Sequence, residues 1–431
     1  MNFYTEVEGC GREALEQHQF LRLKTLLETL YERNPFYTQK LKQSGWIPGD
    51  LKHLRDFARL PFTTKDELSR DQEEHPPYGT NLTYPLNKYV RYHQTSGTTG
   101  KPLRILDTRE SWAWWVECWK YIYTAAGVTS EDRVFFGFSF GPFIGFWSAF
   151  DGAQAMGCLG ISGGGQDSSQ RLHLILKTQA TVLVCTPSYA LRLASIAQEN
   201  GIDAAGSSIR ITIHAGEPGA SIPATKKKIE TAWGARCLDH AGATEVGAFA
   251  YECSAQPGGV HLNEGEFIAE VIHPGTGLPV SGGERGELVL TNLGRLGTPV
   301  LRYRTGDLVE PDPSPCGCGR KFIKIKGGIL GRVDDMITVR GVNVFPSAIE
   351  NIIRQFNEIE EFGAEIYREK EMEEIHLKLE IKAQEEEKQQ IQEKVFQALR
   401  NQLNLRTRIT LVEAGSLPRF EMKARRFKIV E

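Results

Sequence analysis

Tyr92–Pro102 reads YHQTSGTTGKP: four aliphatic hydroxyls (Thr95, Ser96, Thr98, Thr99) surround Gly97 and Gly100, and Lys101 follows before Pro102 stops any regular element. Hydroxyls, bare backbone amides and one cation are what a polyphosphate needs. Glycine lets the backbone come close to phosphate oxygens and present successive N–H groups, and the ammonium adds a mobile charge. The spacing is not that of the P-loop, which needs four residues between its glycines and Ser or Thr after Lys. Here two residues separate the glycines and proline follows Lys101. A polar turn also favours Ser, Thr and Gly, but a turn does not need four hydroxyls and a lysine together. Phosphate binding is therefore the reading taken.

Length and composition bound what this loop serves. A chain of 431 residues is too long for one ordinary core and predicts two or more domains. The hydrophobic fraction of 40% and charged fraction of 24% are those of a soluble globular protein. A net charge of −3 gives no electrostatic reason to expect nucleic acid or an anionic membrane as partner. No apolar run approaches the length of about 18 residues that spans a bilayer, and the start MNFYTEVEGCGREAL lacks the basic and apolar regions of a signal peptide. The expectation is a cytoplasmic protein whose eight cysteines are thiols or metal ligands rather than a disulfide framework.

Along the chain, Leu15, Phe20, Leu23, Leu26, Leu27 and Leu30 recur at helical spacing up to Asn34-Pro35, a helical lead-in. After the glycine loop, Asp107 and Glu110 have capping-box spacing before SWAWWVECWKYIYTAAG, an aromatic helix best read as buried core. From Arg133 to about Asp239, short apolar runs (VFFGF, TVLVC, ITIHAG, RCLD) alternate with amphipathic ones, which predicts a parallel sheet covered by helices. From Val246 to about 330, strands joined by Gly and Pro turns predict a smaller β-rich subdomain. After Gly331 a helix at SAIENIIRQF, two long strands, a polar helix from about Gln384 and the strand TRITLVE predict a separate α+β unit. The fold class is thus α/β: a large N-terminal domain over residues 1–331, with βα-layered sheets and the β-rich subdomain, and a small mobile C-terminal domain over 332–431.

Four further stretches carry chemistry. Asp239-His240-Ala241-Gly242-Ala243-Thr244-Glu245 follows a strand and breaks it with glycine, the usual place for ligand contact at a sheet's carboxyl edge. Tyr303-Arg304-Thr305-Gly306-Asp307 ends in an acid that would by itself be a turn residue. Gly331-Arg332-Val333-Asp334-Asp335-Met336 puts two acids at the junction of the two domains, where a solvated turn would also suit. Leu417–Arg426, LPRFEMKARR, reads by itself as a basic surface tail. A last set is Cys253, His261, Cys316 and Cys318: two thiols one residue apart in a glycine turn, looser than the usual zinc-binding CxxC, and equally compatible with reduced core cysteines.

Taken together, in order from Thr95 to Lys423, these motifs resemble the adenylate-forming enzymes, which include acyl-CoA synthetases, and most closely the phenylacetate-CoA ligase branch. The resemblance covers nearly the whole chain. It implies ATP-dependent activation of a carboxylic acid through an acyl-adenylate, followed by transfer to CoA. Thr95, Ser96, Gly97, Thr98, Thr99, Gly100 and Lys101 would hold the β- and γ-phosphates, Thr244 the α-phosphate, and Glu245 a Mg²⁺ shared with them. Asp307 would bond the ribose hydroxyls with Arg332 in support. Gly216, Glu217 and Pro218, with Asp239, His240 and Ala241, would lie along the adenine, where relatives usually carry an aromatic residue at position 241. The acid would be walled by Phe138, Phe140, Phe143, Ile144, Ala215 and Gly242, with Gly216 beside them, and glycine-flanked rings suit an aryl or other compact apolar acid.

The same resemblance makes Lys423 the catalytic lysine, whose charge lets one anion attack another, and Asp334 the hinge of the small domain. The segment Arg340–Asn343 would approach CoA. Some relatives carry a set like Cys253, His261, Cys316 and Cys318, so a structural zinc is expected there. The alternative within enzymes is one that loads an acyl carrier protein's phosphopantetheine; a different class altogether is a catalytically silent binding or scaffold protein of the same fold, and Lys423, Glu245, Asp307 and the whole glycine loop stand against that silence. A homodimer is the further partnership considered.

Overall fold

The computed structural model describes residues 3–95, 102–333, 336–339, 342–369, 372–420 and 426–430. The lead-in is two helices, Arg12–Arg33 and Pro35–Gln43, separated where Asn34 caps the second by accepting from Tyr37 N. A short antiparallel hairpin, Tyr89–Gln94 with Arg104–Thr108, carries the glycine loop at its tip. Helix Arg109–Ala126 follows. Its cap is Thr108, which accepts from Ser111 N at 3.2 Å, and not Asp107. Asp107 is instead turned into the core, where it meets the guanidinium of Arg295.

At the centre is a nine-stranded sheet. From one edge its spatial order is Leu159–Ser162, Arg133–Phe136, Val182–Cys185, Ile211–His214, Arg236–Ala243, Gly247–Tyr251, Gly259–Leu262, Lys324–Lys326 and Pro311–Asp312. The first five run parallel, joined by helices Ile144–Ala155, Ser168–Lys177, Pro187–Glu199 and Pro223–Trp233. Strands covered on both faces read as continuous apolar runs, and Val182–Cys185 and Ile211–His214 are buried at every position. This is the predicted βα alternation, with one more strand, Leu159–Ser162, than the four apolar runs suggested.

The strand Arg236–Ala243 differs from expectation. The sequence predicts that it ends before the DHAGATE motif, yet it runs through it. Arg236–Asp239 pair in parallel with Ile211–His214, and His240–Ala243 pair antiparallel with Gly247–Tyr251. A register shift at Ala241/Gly242 takes up the change. The return is possible because Gly247 has φ +144° and stands where any Cβ would run into Phe267 and Trp114. Strands after Val246 also do not form one sheet. Gly247–Tyr251 and Gly259–Leu262 extend the central sheet, while Phe267–Ile272, Gly286–Asn292, Tyr303–Val309 and Gly331–Arg332 make a four-stranded antiparallel sheet. That sheet's neighbourhood buries the lead-in helices, with Leu23, Leu26, Leu27 and Leu30 packed against Ile268, Leu293 and Leu301.

The C-terminal portion is a six-stranded sheet in the order Val342–Val344, Ile337–Val339, Met372–Ile381, Ile359–Glu369, Phe427–Ile429, with Arg408–Val412 paired beside Met372–Ile381. The alternation Ile375, Leu377, Leu379 predicts one buried face, and all three are fully buried against helices Pro346–Ile353 and Glu385–Leu403. Contacts join this portion to the rest: Lys228 Nζ donates to Phe356 O at 2.9 Å, Arg426 Nη2 to Ser188 Oγ at 3.2 Å, and the Ser347 hydroxyl to Leu330 O. Among the described residues no helix is long and apolar enough to cross a membrane.

Candidate active site

Of the expected site residues that are described, Phe138, Phe140, Phe143, Ala215, Gly216, Glu217 and Pro218 follow parallel strands at their carboxyl edge, where this class of fold binds ligands, while Asp307 and Arg332 belong to the four-stranded antiparallel sheet. Thr95 closes the base of the glycine loop: its N–H donates to Leu103 O and its Oγ1 accepts from Leu103 N, both at 3.0 Å. Ser96, Gly97, Thr98, Thr99, Gly100 and Lys101 lie outside the described residues, as do Asp334, Arg340, Gly341 and Lys423.

Thr244 and Glu245 sit at the turn between Arg236–Ala243 and Gly247–Tyr251. Arg295 fixes that turn. Its Nη1 donates to Thr244 O at 2.7 Å and Glu245 O at 3.2 Å, while its Nε and Nη2 form a two-pronged bond to Asp107, each at 2.7 Å. Both side chains of this pair are fully buried. Asp107 ends the strand that returns from the glycine loop, so one guanidinium ties the two expected phosphate-binding segments together. Sequence reasoning missed Arg295, because a lone arginine among glycines in NLGRLGTP carries no pattern. It also missed Lys65, whose ammonium lies 3.8 Å from the buried Glu245 carboxylate, with Tyr303 Oη donating to the same carboxylate at 3.5 Å. Lys65 opens helix Lys65–Glu74 beneath the Thr64 cap. A carboxylate that faces an ammonium from a largely buried position is suited to a hard cation shared with phosphates.

Asp239 is buried beside the Lys226–Glu252 pair, whose ions stand 2.9 Å apart. Burial, and then the Glu252 charge, push its carboxyl up to about 7, against the lowering pull of Lys226. His240 points inward rather than to the edge: Nδ1 bonds Ala250 O at 2.9 Å, the ring meets Trp119 edge-on, and burial holds it down to about 4, so it is neutral at neutral pH. Ala241 packs on the main core and Gly242 is exposed. Gly216 has φ +96° at an exposed turn flanked by Ala215 and Pro218. Glu217 caps the neighbouring helix by accepting from Ser188 N at 2.9 Å. Asp307 and Arg332 are direct cross-strand partners, Oδ1 to Nη1 3.7 Å, and Gly306 between them has φ +74° where a Cβ would strike the Arg332 guanidinium.

The residues expected to wall the acid are mostly aromatic. Phe138 is buried and stacks face to face on Phe146 with centroids 4.0 Å apart. Phe140 meets Trp147 edge-on at 4.8 Å, and Phe143 meets Phe146 at 6.1 Å. Ile144 opens the helix behind them and is buried.

Away from this edge, Cys253, His261, Cys316 and Cys318 come together, all buried, with their donor atoms within 4.8 Å of one another. Cys253 Sγ is 3.5 Å from Cys316 Sγ, and Cys318 Sγ is 3.4 Å from His261 Nε2. His261 Nδ1 lies 3.4 Å from Phe322 O, which leaves Nε2 facing the thiols. Cys253 and His261 beside it hold the Cys318 thiol far below the usual thiol range. Three cysteine sulfurs and one imidazole nitrogen at these separations fit four-coordinate zinc, with Zn–S of about 2.3 Å and Zn–N of about 2.0 Å, and the Phe322 carbonyl supplies the outer hydrogen bond such a histidine needs.

A family model described as AMP-binding enzyme matches residues 65–294, and one described as AMP-binding enzyme C-terminal domain matches residues 341–428. The chain is 33% identical to a phenylacetate-coenzyme A ligase of Pseudomonas putida over 97% of its own length and 94% of the relative's. It is 32% identical to the enzyme of the same name from Escherichia coli (strain K12), over 97% and 95%. Among solved structures, 2-hydroxyisobutyryl-CoA ligase in its postadenylation state with an acyl-AMP superposes with a TM-score of 0.93 at 28% identity, covering 98% of this chain and 91% of that one. The same ligase in its thioesterification state with CoA gives 0.75 at 29% identity with the same coverage. On both the sequence and the structural likeness, the chain belongs to the phenylacetate-CoA ligase family of AMP-binding enzymes.

Proposed function

We propose that the protein is an ATP-dependent, AMP-forming acid–CoA ligase. A carboxylate oxygen attacks the α-phosphorus of ATP, the bond to the pyrophosphate breaks, and acyl-AMP forms. The thiol sulfur of CoA then attacks the acyl carbon, AMP leaves with the electron pair of the broken C–O bond, and the thiol proton goes to solvent. The observation that carries this reading is the junction at Arg295, which holds the Thr244–Glu245 turn to the strand leaving the glycine loop.

The roles are those the family resemblance implies, and the geometry is compatible with them. Thr244 would bond the α-phosphate and Asp307, braced by Arg332, the ribose. Asp239 and the Gly216–Pro218 turn would lie along adenine. Phe138, Phe140, Phe143 and Ile144 would enclose an aryl or other compact apolar acid. Mg²⁺ would be held by Glu245 together with substrate phosphates, and when bound it supplies neutralisation of polyphosphate charge. Lys423 would stabilise the charge gathered as two anions meet. The Cys253, His261, Cys316 and Cys318 cluster would hold a structural zinc. The large unit would end after the strand Gly331–Arg332, which still pairs with Asp307 and Leu308, and Asp334 would be the pivot about which the C-terminal unit turns between half-reactions. The higher TM-score with the postadenylation state of the related ligase supports reading the present arrangement as the one on the adenylation side.

The test is pyrophosphate release over a panel of aryl and short branched acids, with and without CoA. Acid-dependent pyrophosphate, with acyl-CoA formed only when CoA is present, is the expected result; pyrophosphate independent of any acid would refute it. Metal analysis of protein purified without chelator should give about one zinc per chain for a closed four-ligand site. Cys316→Ser should lower both the zinc content and the melting temperature.

A further inference from the structure

Six arginines are buried among the described residues: Arg171, Arg295, Arg302, Arg320, Arg354 and Arg426. Five of them hold a carboxylate, namely Asp107, Glu270, Glu8, Glu361 and again Glu361. Arg171, only 2% exposed, holds none among the described residues. Its Nε donates to Gly163 O at 2.8 Å, Nη1 to Tyr189 Oη at 2.8 Å and Nη2 to Ser139 Oγ at 3.2 Å, and its plane lies over the Tyr189 ring. Burying a charge without a counter-charge is expensive, so packing alone is a poor reason to keep a guanidinium here.

Its three oxygens have a common address. Ser139 follows the strand Arg133–Phe136, Gly163 follows Leu159–Ser162, and Tyr189 stands in the first turn of the helix after Val182–Cys185. Arg171 therefore spans the carboxyl ends of three neighbouring strands, on the acid side of the edge. Ser139 sits between Phe138 and Phe140, so whatever holds Ser139 holds both rings. Among the described residues the other hydrogen bonds that tie the same loop to its neighbours use its backbone: Gly137 N to Val184 O at 2.9 Å, Trp147 Nε1 to Gly141 O at 2.9 Å and Gln94 N to Pro142 O at 2.8 Å. Three nitrogens in a rigid plane can reach three separated acceptors at once, whereas an ammonium offers its three donors from a single nitrogen.

We infer that Arg171 is a positioning residue for the acid: by fixing Ser139 against the two neighbouring crossovers it places the Phe138 and Phe140 rings and so sets which carboxylic acid the pocket admits. The inference rests on the ligase reading above. It separates acid from nucleotide, since none of the three oxygens belongs to a segment assigned to ATP or CoA.

The experiment is steady-state kinetics on the full chain with the best acid of the panel, for Arg171→Met, Arg171→Lys and Ser139→Ala, with melting temperature measured alongside. Displacing a bound group by about an ångström can cost on the order of 10²-fold. Arg171→Met should therefore raise KM for the acid by about tenfold or more and reorder the panel by acid size, while KM for ATP and CoA stays within about twofold. Arg171→Lys should not restore the wild-type values, because charge without the fork is insufficient. Ser139→Ala, at an exposed residue, should keep the wild-type melting temperature and shift the acid KM a few-fold in the same direction; it decides the matter if Arg171→Met does not fold. Parallel rises in all three KM values, full rescue by lysine, or an unmoved acid KM in Ser139→Ala would each overturn the assignment. A wild-type enzyme inert towards every acid would fell the ligase reading itself, whereas an active enzyme with unselective variants would fell only the role of Arg171.

Discussion

On the side proposed for the nucleotide, place is fixed by opposite charges: Arg295 with Asp107, Arg332 beside Asp307, Lys65 facing Glu245, and Asp239 next to Lys226 and Glu252. On the side proposed for the acid it is fixed by rings, Phe138 on Phe146 and Phe140 on Trp147, and by one buried arginine that meets no carboxylate among the described residues. The contrast suits two ligands of different kinds. The nucleotide is the same in every turnover, so a rigid set of ions aimed at it is never misplaced. The acid is what distinguishes one such ligase from another, and a wall of rings can change size without stranding a charge.

The largest effect should come from the lysine proposed to stabilise the charge gathered where the two anions meet. Lys423→Ala is expected to abolish adenylate formation while thioester formation from supplied acyl-AMP largely survives. Pyrophosphate exchange and thioester yield, measured separately, check this; equal loss of both halves would remove the lysine from the first step.

Next is the pair that anchors the nucleotide side. Asp107→Asn leaves the fully buried Arg295 guanidinium without its counter-charge, and breaking a buried pair in this way costs about 3–5 kcal/mol. The melting temperature should fall steeply and KM for ATP should rise, with the ranking of acids unchanged. A reordered acid panel would mean that the two sides are not separately built.

A finer contrast lies in pH. The Asp239 carboxyl is raised to about 7 from an ordinary value of 3.8. The folded state therefore binds a proton between those values that the unfolded state has released, and folding stability should decline as pH rises from about 4 to 7. If Asp239 accepts from the adenine amino group, ATP binding should strengthen as pH rises through about 7. Asp239→Asn should flatten both profiles, and a step in KM for ATP that persists in the variant would assign it to another group.

The smallest effect concerns the seat of the C-terminal portion. Lys228, held down to about 8 chiefly by burial and then by Arg354, still donates to Phe356 O. Lys228→Met removes one hydrogen bond worth about 1 kcal/mol, so pyrophosphate exchange should fall roughly fivefold with the thioester half-reaction unchanged or faster. An equal fall in both would show that the contact serves the fold and not one conformation.

How far the sequence carried this reading varied with the kind of signal. Periodicity located the parallel strands and their helices, because strands buried on both faces are apolar runs and their helices amphipathic. It also located the C-terminal sheet through Ile375, Leu377 and Leu379. The cysteine and histidine set, scattered from Cys253 to Cys318, does converge, since soft ligands are rare enough to be noticed without knowing the fold. What escaped was whatever depended on long-range packing. Asp107 has cap spacing but Thr108 makes the cap, because the Asp107 carboxylate gains more from a guanidinium that arrives 188 residues later. Arg295 and Arg171 escaped for the same reason, since an arginine's role depends on which backbone and side-chain oxygens the fold brings to it. His240, grouped with the expected nucleotide residues by its place in a motif, faces Trp119 instead, because side chains alternate along a strand and its neighbour Asp239 faces Lys226 and Glu252.

The strand Arg236–Ala243, parallel along its first half and antiparallel along its second, bears on the rate at which the site breathes. Its amides are shared between two neighbouring strands, so they open only when the central sheet opens, and exchange with solvent there should be among the slowest in the molecule. A ligand that settles against so firm a rail finds it already in shape. Deuterium uptake on adding ATP should therefore hardly change over residues 240–243, and the ordering that accompanies binding must be sought in segments that no sheet holds.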